Sequence, residues 1–492
     1  MSLQADLDFT STEVFEAVSS EAYVEHAAAS LISSLPDDGL GLEHIKKHLI
    51  NDIAPGFSGS SRCPTYYAYT TGGVTDAALF ADWVASTYDQ NVHVHLPRDT
   101  VATSVESTTL RLLQQLLSLD EVRFPGRIFT TGATASNVLG MALGREFIVA
   151  EAGRRKSPPI RTSVAELGVL EACFQAGVEN IQVLATLPHS SLYKAASAVG
   201  IGRDSVIALP LSDDEPWRFD MDALAKHLAS ETASIISISA GEVSSGRFAT
   251  NGEEMARIRT LADQHGAWVH IDGAFGLQAL VLPHTEAYKA LNEGVSSFHL
   301  ADSIAGDAHK LLNVPYDCGF FFTRALDLQQ KVFGNPAAAY LSTPGALSIP
   351  TPLNLGLENS RRFRALPVYA SLVAYGRIWH CKLLERQIAL ARRIGSYILN
   401  STVYELLPNN DIDQIYMVVL FRAHSESLNA QLVPLLNASR EIRVSGLPWK
   451  GQQAARIAVG NWRVDVDRDF GVIVKALEAA AVAGSAPGSS FP

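Results

Sequence analysis

Basic charge is scarce in this chain. Its 39 Lys and Arg stand against 51 Asp and Glu, a net charge of −12, and the basic runs Arg154-Arg155-Lys156 and Arg361-Arg362 are short. That balance excludes a nucleic-acid groove, whose affinity depends on concentrated cations releasing counterions from phosphates. Cysteine is scarce too. The four present, Cys63, Cys173, Cys318 and Cys381, lie far apart with no Cys-x-x-Cys pair. This excludes a zinc ribbon, gives no disulfide framework and points to a reducing compartment. No uninterrupted apolar run approaches the roughly 20 residues of a membrane span. The start, Met1 to Asp6, lacks a basic segment followed by an apolar one, so no signal peptide is expected and the expected location is cytoplasmic. His93-x-His95 has no third and fourth ligand at a sensible spacing and is read as structural, with no metal site. What the chain does have is bulk: 492 residues, 47% of them hydrophobic, suffice for two or three domains around large cores.

Periodicity gives an outline. Residues 10–50 read as two helices broken at Pro36-Asp37-Asp38-Gly39, followed by a loose Gly/Ser stretch and the aromatic cluster Tyr66-Tyr67-Ala68-Tyr69, closed by Gly72-Gly73. Helices are expected from Asp76 to Asp89 and from Ser104 to Leu119. Strand and helix then alternate for some 200 residues, which means a mainly parallel sheet covered by helices. Strands are read at 127–130, 181–185, 206–209, 234–239, 267–271 and 319–323, and Asn251-Gly252-Glu253-Glu254 reads as a capping box for a helix ending at Gly266. Residues 325–360 break the pattern with Gly334, Pro336, Pro344, Gly345, Pro350 and Pro352, as functional lids do. Helices resume from Pro367 to about Asn400, and the remainder reads as a small α+β domain with a frayed tail from Gly484.

Four features in order carry chemistry. Arg127-Ile128-Phe129-Thr130, a small-residue turn at Gly132-Ala133-Thr134-Ala135-Ser136-Asn137, and a helix place backbone N–H groups where a phosphate binds. Alone the turn is a weak signal; it is neither a Walker A loop nor Gly-x-Gly-x-x-Gly. His189 follows a strand. Asp272 ends the buried run Ala267-Trp268-Val269-His270-Ile271, at the strand end where open α/β sheets bind ligands. Lys310 follows Asp307-Ala308-His309 and precedes Leu311-Leu312, which predicts a loop at the rim of a core. A partly desolvated lysine can form Schiff bases, and an acid can pair with a pyridine nitrogen, so the chemistry suggested is that of pyridoxal 5'-phosphate (PLP). Each residue alone has a blander reading: a lone histidine is more often structural, and an aromatic cluster more often core. The ordered coincidence outweighs those readings.

In that order the chain resembles the group II PLP-dependent amino-acid decarboxylases, the aromatic-L-amino-acid and glutamate decarboxylase group, from about Tyr66 to Trp462. Pro64 to Tyr69 is similar to the family's substrate-pocket segment, Leu355-Gly356 through Phe363 to its stretch after the catalytic loop, and Trp449-Lys450-Gly451 and Asn461-Trp462-Arg463 to its small-domain signature. The resemblance implies fold type I, the aspartate aminotransferase-like α/β fold, with a seven-stranded mainly parallel sheet and a small C-terminal α+β domain. It implies a dimerising helical segment at 1–60, a large cofactor domain at 61–365, a small domain at 366–483 and a homodimer with a shared site. Lys310 would carry PLP as a Schiff base and Asp272 would pair with the ring nitrogen. Ala274 would pack on one ring face and His189 on the other, with His189 also touching the substrate carboxylate. Ala133 and Thr134 would hold the phosphate beside His309, and Tyr340 would protonate Cα after CO₂ leaves. Tyr69, Gly72 and His189 would face the substrate.

Two departures stand out. Glu242 replaces the family's usual hydroxyl residue, and could contact a substrate amine, hold a neighbouring loop or point away. The segment from His93 to Glu106 is longer than in the animal aromatic enzymes. Decarboxylation of an aromatic L-amino acid is the expected activity, on the tyrosines at 66, 67 and 69 and the absence of an obvious second arginine clamp. Other PLP chemistry on the same fold, oxidative deamination to an aldehyde or transamination, stays open; so does a catalytically silent binding protein, against which Lys310, Asp272 and His189 argue.

Overall fold

Runs of β-branched and aromatic residues that lie buried on both faces make the centre of the molecule, as a parallel sheet under helices demands. A computed structural model describes residues 16–230, 232–335 and 349–485. Gly126–Thr130 (β1), Ile181–Ala185 (β2), Val206–Ala208 (β3), Ala233–Ser239 (β4), Trp268–Asp272 (β5), Ser303–Asp307 (β6) and Gly319–Thr323 (β7) form a seven-stranded sheet in the order β1-β7-β6-β5-β4-β2-β3. Strands β2 to β6 pair in parallel, and β7 runs antiparallel between β6 and β1. The expected mainly parallel seven-stranded sheet is therefore present.

Helix Ala133–Arg154 leaves β1 and packs across β4 to β7. Two glycines one turn apart let it lie directly on the sheet. A Cβ on Gly144 would meet Ile235 Cδ1 at 2.8 Å, and one on Gly140 would meet the His270 ring at 2.5 Å. The capping box at Asn251 and Glu254 is formed, and helix Gly252–His265 ends at Gly266 with φ 71°.

Tyr404–Leu407 (β8), Val418–Ala423 (β9), Ser445–Trp449 (β10) and Gln452–Ala458 (β11) form a separate antiparallel sheet in the order β10-β11-β9-β8. Helices Ala365–Leu399, Glu426–Asn437 and Val466–Ser485 pack with it. An early segment joins this second core: Tyr66 bridges Arg443, and the buried Tyr67 sits among its apolar side chains.

Several expectations shift. Lys310 lies in a short helical turn, Ala308–Leu311, rather than in a loop. Strand β6 was not expected, because Ser303-Ile304-Ala305-Gly306-Asp307 is small and polar; all five residues are nevertheless buried between β5 and β7. Helices Val164–Leu167 and Val169–Ala176 were likewise unforeseen. The helices expected from Pro367 to about Asn400 run as Ala365–Leu399, broken at Gly376, whose φ is 68°. Among the described residues no helix is long and apolar enough to cross a membrane.

Candidate active site

A cavity of about 310 Å³ opens where β4, β5 and β6 end and helix Ala133–Arg154 begins. Asp272, the last residue of β5, reaches it with both carboxylate oxygens engaged. Oδ2 accepts from Asn137 Nδ2 at 2.8 Å and Oδ1 from the Ala274 N–H at 3.3 Å. Ala274 and Phe275 continue the cavity wall.

His189 caps helix Ser190–Ala198, its Nδ1 accepting from the Ser191 N–H at 3.2 Å and lying 2.8 Å from Ser191 Oγ. The structural role and a place in the cavity wall thus coincide in one residue. Desolvation at the wall lowers its pKa, against the attraction of Asp272.

Across the cavity, Lys310 Nζ lies 2.9 Å from Asp307 Oδ2. The other oxygen of Asp307 accepts from the Ala133 N–H at 2.5 Å, at the start of the long helix. His309 accepts the Cys318 N–H on Nδ1 at 3.2 Å, which leaves Nε2 3.5 Å from Asp307. Burial lowers the His309 pKa, against Asp307. Tyr316 covers that ring, with centroids 4.4 Å apart.

Glu242 is buried at the cavity wall, and its carboxylate serves its own loop. It accepts from the Ser244 N–H at 2.7 Å and from the N–H and hydroxyl of Ser245. Its hydrogen bonds thus go to its own turn rather than to the neighbouring loop that the sequence left open as one of three roles. Behind Thr70, which lines the cavity, lies the buried guanidinium of Arg456, donating to Thr70 Oγ1 at 3.2 Å. Burial pushes its pKa down to about 10, against Glu242.

Lys310, Asp272, His189, Ala133, Thr134, Ala274 and His309 all line this one cavity. Tyr69 and Gly72 do not. Tyr69 is exposed with φ 60°, and Gly72 packs against the Lys310 carbonyl, where a Cβ would overlap it. Nor do Tyr66 and Tyr67 line it, so the tyrosine cluster gives no aromatic pocket wall. Tyr340 lies outside the described residues. His95 bonds Thr103 at 2.8 Å as a structural residue, and among the described residues no group of side chains could hold a metal. Asp307 and Asn137 fall inside motifs read from the sequence and Ser191 lies two residues after His189, yet none of the three was given a role there; Arg456 carries no local signal.

The donor set fits PLP. Thr134 and Ala135 line the cavity, and their N–H groups, being in the first turn, have no intrahelical partner, as a phosphate site requires. Gly132 leaves that turn open, since a Cβ there would stand 3.4 Å from Asp307 Oδ1 and 3.3 Å from His309 Cε1. A carboxylate for a protonated ring nitrogen and a lysine for an aldehyde stand on opposite sides. Fold and site together define a PLP enzyme of fold type I. The chain belongs to the pyridoxal-dependent decarboxylase family, carboxy-lyases that work with PLP; the family's conserved domain matches residues 25–424. The L-2,4-diaminobutyrate decarboxylase of Acinetobacter baumannii is 27% identical over 318 residues, 63% of this chain and 58% of that relative. The chain thus matches less than two thirds of that protein's length. The aromatic-L-amino-acid decarboxylase of Bacillus atrophaeus is 22% identical, over 77% of this chain and 72% of its own. The crystal structure of Oryza sativa TDC with PLP and tryptamine superposes with a TM-score of 0.78 at 19% identity, covering 96% of this chain and 94% of that one.

Proposed function

We propose that the chain decarboxylates an L-amino acid to the amine and CO₂, with an aromatic side chain as its preferred class. The observation that carries this reading is the convergence of Lys310, Asp272 and His189 on one cavity beside an open helix N-terminus. PLP bound here supplies an electron sink for the pair left on Cα when CO₂ departs. Lys310 would hold the cofactor through Nζ, and Asp272 would pair with its ring nitrogen. The helix start at Ala133 and Thr134, with His309 alongside, would bind the phosphate. Ala274 and His189 would enclose the ring, and His189 would steady the substrate carboxylate. Tyr340 returns a proton to Cα. Leu187, Val243 and Phe275 in the cavity wall support an apolar side chain.

A second substrate reading comes from Arg456 and Glu242, a buried cation and anion at the Thr70 side of the cavity. They favour a substrate whose side chain ends in a polar or charged group. Incubation with the twenty amino acids, scoring amine and CO₂, separates the two, and no amine from any of them overturns decarboxylation. Tyr340→Phe should bind PLP normally, lose most amine formation, and form aldehyde and peroxide in air. Amine release at the unmodified rate would move the proton donor elsewhere, with His189 next.

We also propose a homodimer. Helix Glu21–Ser30 buries none of its residues, and Leu31, Leu35, Leu42 and Phe57 nearby are exposed, an apolar surface suited to a second copy. An active monomer in sedimentation at assay concentration would sink this.

A further inference from the structure

A chain of buried side chains runs behind the cavity and joins its two opposed residues. Trp268 Nε1 lies 3.0 Å from Ser303 Oγ, and Ser303 Oγ lies 2.8 Å from His270 Nδ1. His270 Nε2 lies 2.9 Å from Asn137 Oδ1. Asn137 Nδ2 then reaches Asp272 Oδ2 at 2.8 Å and Ser191 Oγ at 3.2 Å, and Ser191 Oγ reaches His189 Nδ1 at 2.8 Å. We propose that Asn137 and His270 are positioning residues that set Asp272 and His189 as one unit through this chain, which has a single donor direction. The inference rests on the PLP-site reading above.

The Asp272 end enforces the direction. Its carboxylate accepts, so the Asn137 amide cannot be turned round: its oxygen would face Asp272 Oδ2 across 2.8 Å. The Asn137 carbonyl therefore accepts from His270 Nε2, and a neutral His270 is left with a bare Nδ1 that accepts the Ser303 hydroxyl proton. The Trp268 indole N–H can only donate, and Ser303 Oγ accepts it on a remaining lone pair. The amide's second N–H goes to Ser191 Oγ, whose proton goes to His189 Nδ1, where the Ser191 N–H also donates. His189 is thereby held with its proton on Nε2, its one polar atom not committed to the helix cap. Full burial of His270, with a pKa pushed down to about 4, keeps the middle of the chain neutral. Gly140 makes the room, because a Cβ there would stand 2.5 Å from His270 Nδ1.

The test begins with the unmodified full-length protein, free of cofactor and labelled at histidine nitrogen. His270 should be neutral, bare at Nδ1 and protonated at Nε2, between about pH 6 and 8, where a free histidine titrates, and the neutral form of His189 should be the same tautomer; His270→Gln identifies the His270 signal. Asn137→Leu should mix the His189 tautomers and weaken PLP binding by about tenfold or more, the scale on which a bond to a charged group acts. His270→Phe should weaken PLP binding by about tenfold, whereas His270→Gln should stay within about threefold, because its amide offers a donor and an acceptor in the same order. A His270 protonated at Nδ1, or an Asn137→Leu variant with unchanged His189 and unchanged PLP affinity, overturns the proposal. Should His270→Phe not fold, the tautomers of the unmodified protein decide. Failure of the unmodified protein to bind PLP would overturn the site reading instead, and the tautomers would still be measurable without it.

Discussion

Asp272 and Asp307 end neighbouring strands, β5 and β6, and both reach the same cavity. Their surroundings differ in kind. Asp272 is bonded by neutral donors, the Asn137 amide and the Ala274 N–H, and among the described residues it forms no ion pair. Asp307 is matched already, by the Lys310 ammonium and by the Ala133 N–H at the positive end of a 22-residue helix. The difference teaches which carboxylate is open to a cationic partner. The first can receive a protonated ring nitrogen without breaking an ion pair, whereas the second keeps the lysine and the phosphate turn in register.

Substitutions can break that comparison or sharpen it. Lys310→Ala removes the one lysine that lines the cavity among the described residues and should cut turnover at least about a thousandfold, with loss of reducible covalent cofactor. Covalent cofactor at unmodified levels would assign another lysine. Asp272→Asn should lower kcat by about a hundredfold, since it deletes a charge aimed at the reacting ring. Asp307→Asn should cost less than about tenfold in kcat, because its role is to orient Lys310 and not to face the ring. Equal losses in the two variants would erase the distinction between the carboxylates.

The smallest effect is on stability. His270 is held neutral by the fold with a pKa near 4, below its ordinary 6.5. A depressed folded value means that its contribution is complete above about pH 6.5 and is lost as pH falls toward 4, of the order of 3 kcal/mol in all. Urea midpoints should therefore fall less steeply over that window in His270→Gln. His380, also pushed to about 4 by burial, keeps a residual slope in both proteins. Parallel slopes would mean that His270 is not the group taking up the proton.

Much of the fold was legible because parallel strands in a covered sheet announce themselves as apolar runs between capped helices. β4, β5 and β7 are of that type, and the Asn251 box marks its helix start within a residue. β6 was not legible: Ser303, Ala305 and Gly306 make no apolar run, and only the neighbours that bury them make them a strand. The site residues that adjoin a motif could be read, as Lys310 and Asp272 were. Arg456 could not, since it lies 386 positions from the Thr70 it bonds. Tyr69 was read from aromatic character, which says nothing of direction; in this chain it has φ 60°, stands exposed and does not line the cavity.

The turn that carries Lys310 is tied to distant stretches of sequence. Asn313, with φ 55°, donates through Nδ2 to the Gly72 carbonyl at 2.6 Å and to the Gly460 carbonyl at 3.3 Å, 241 and 147 positions away. Gln387 holds the same Gly460 carbonyl at 2.8 Å. During synthesis, then, the lysine emerges long before the clasp around it can shut. Until residue 460 has left the ribosome the turn lacks one of its anchors, so the setting of the lysine waits on sequence made well after it.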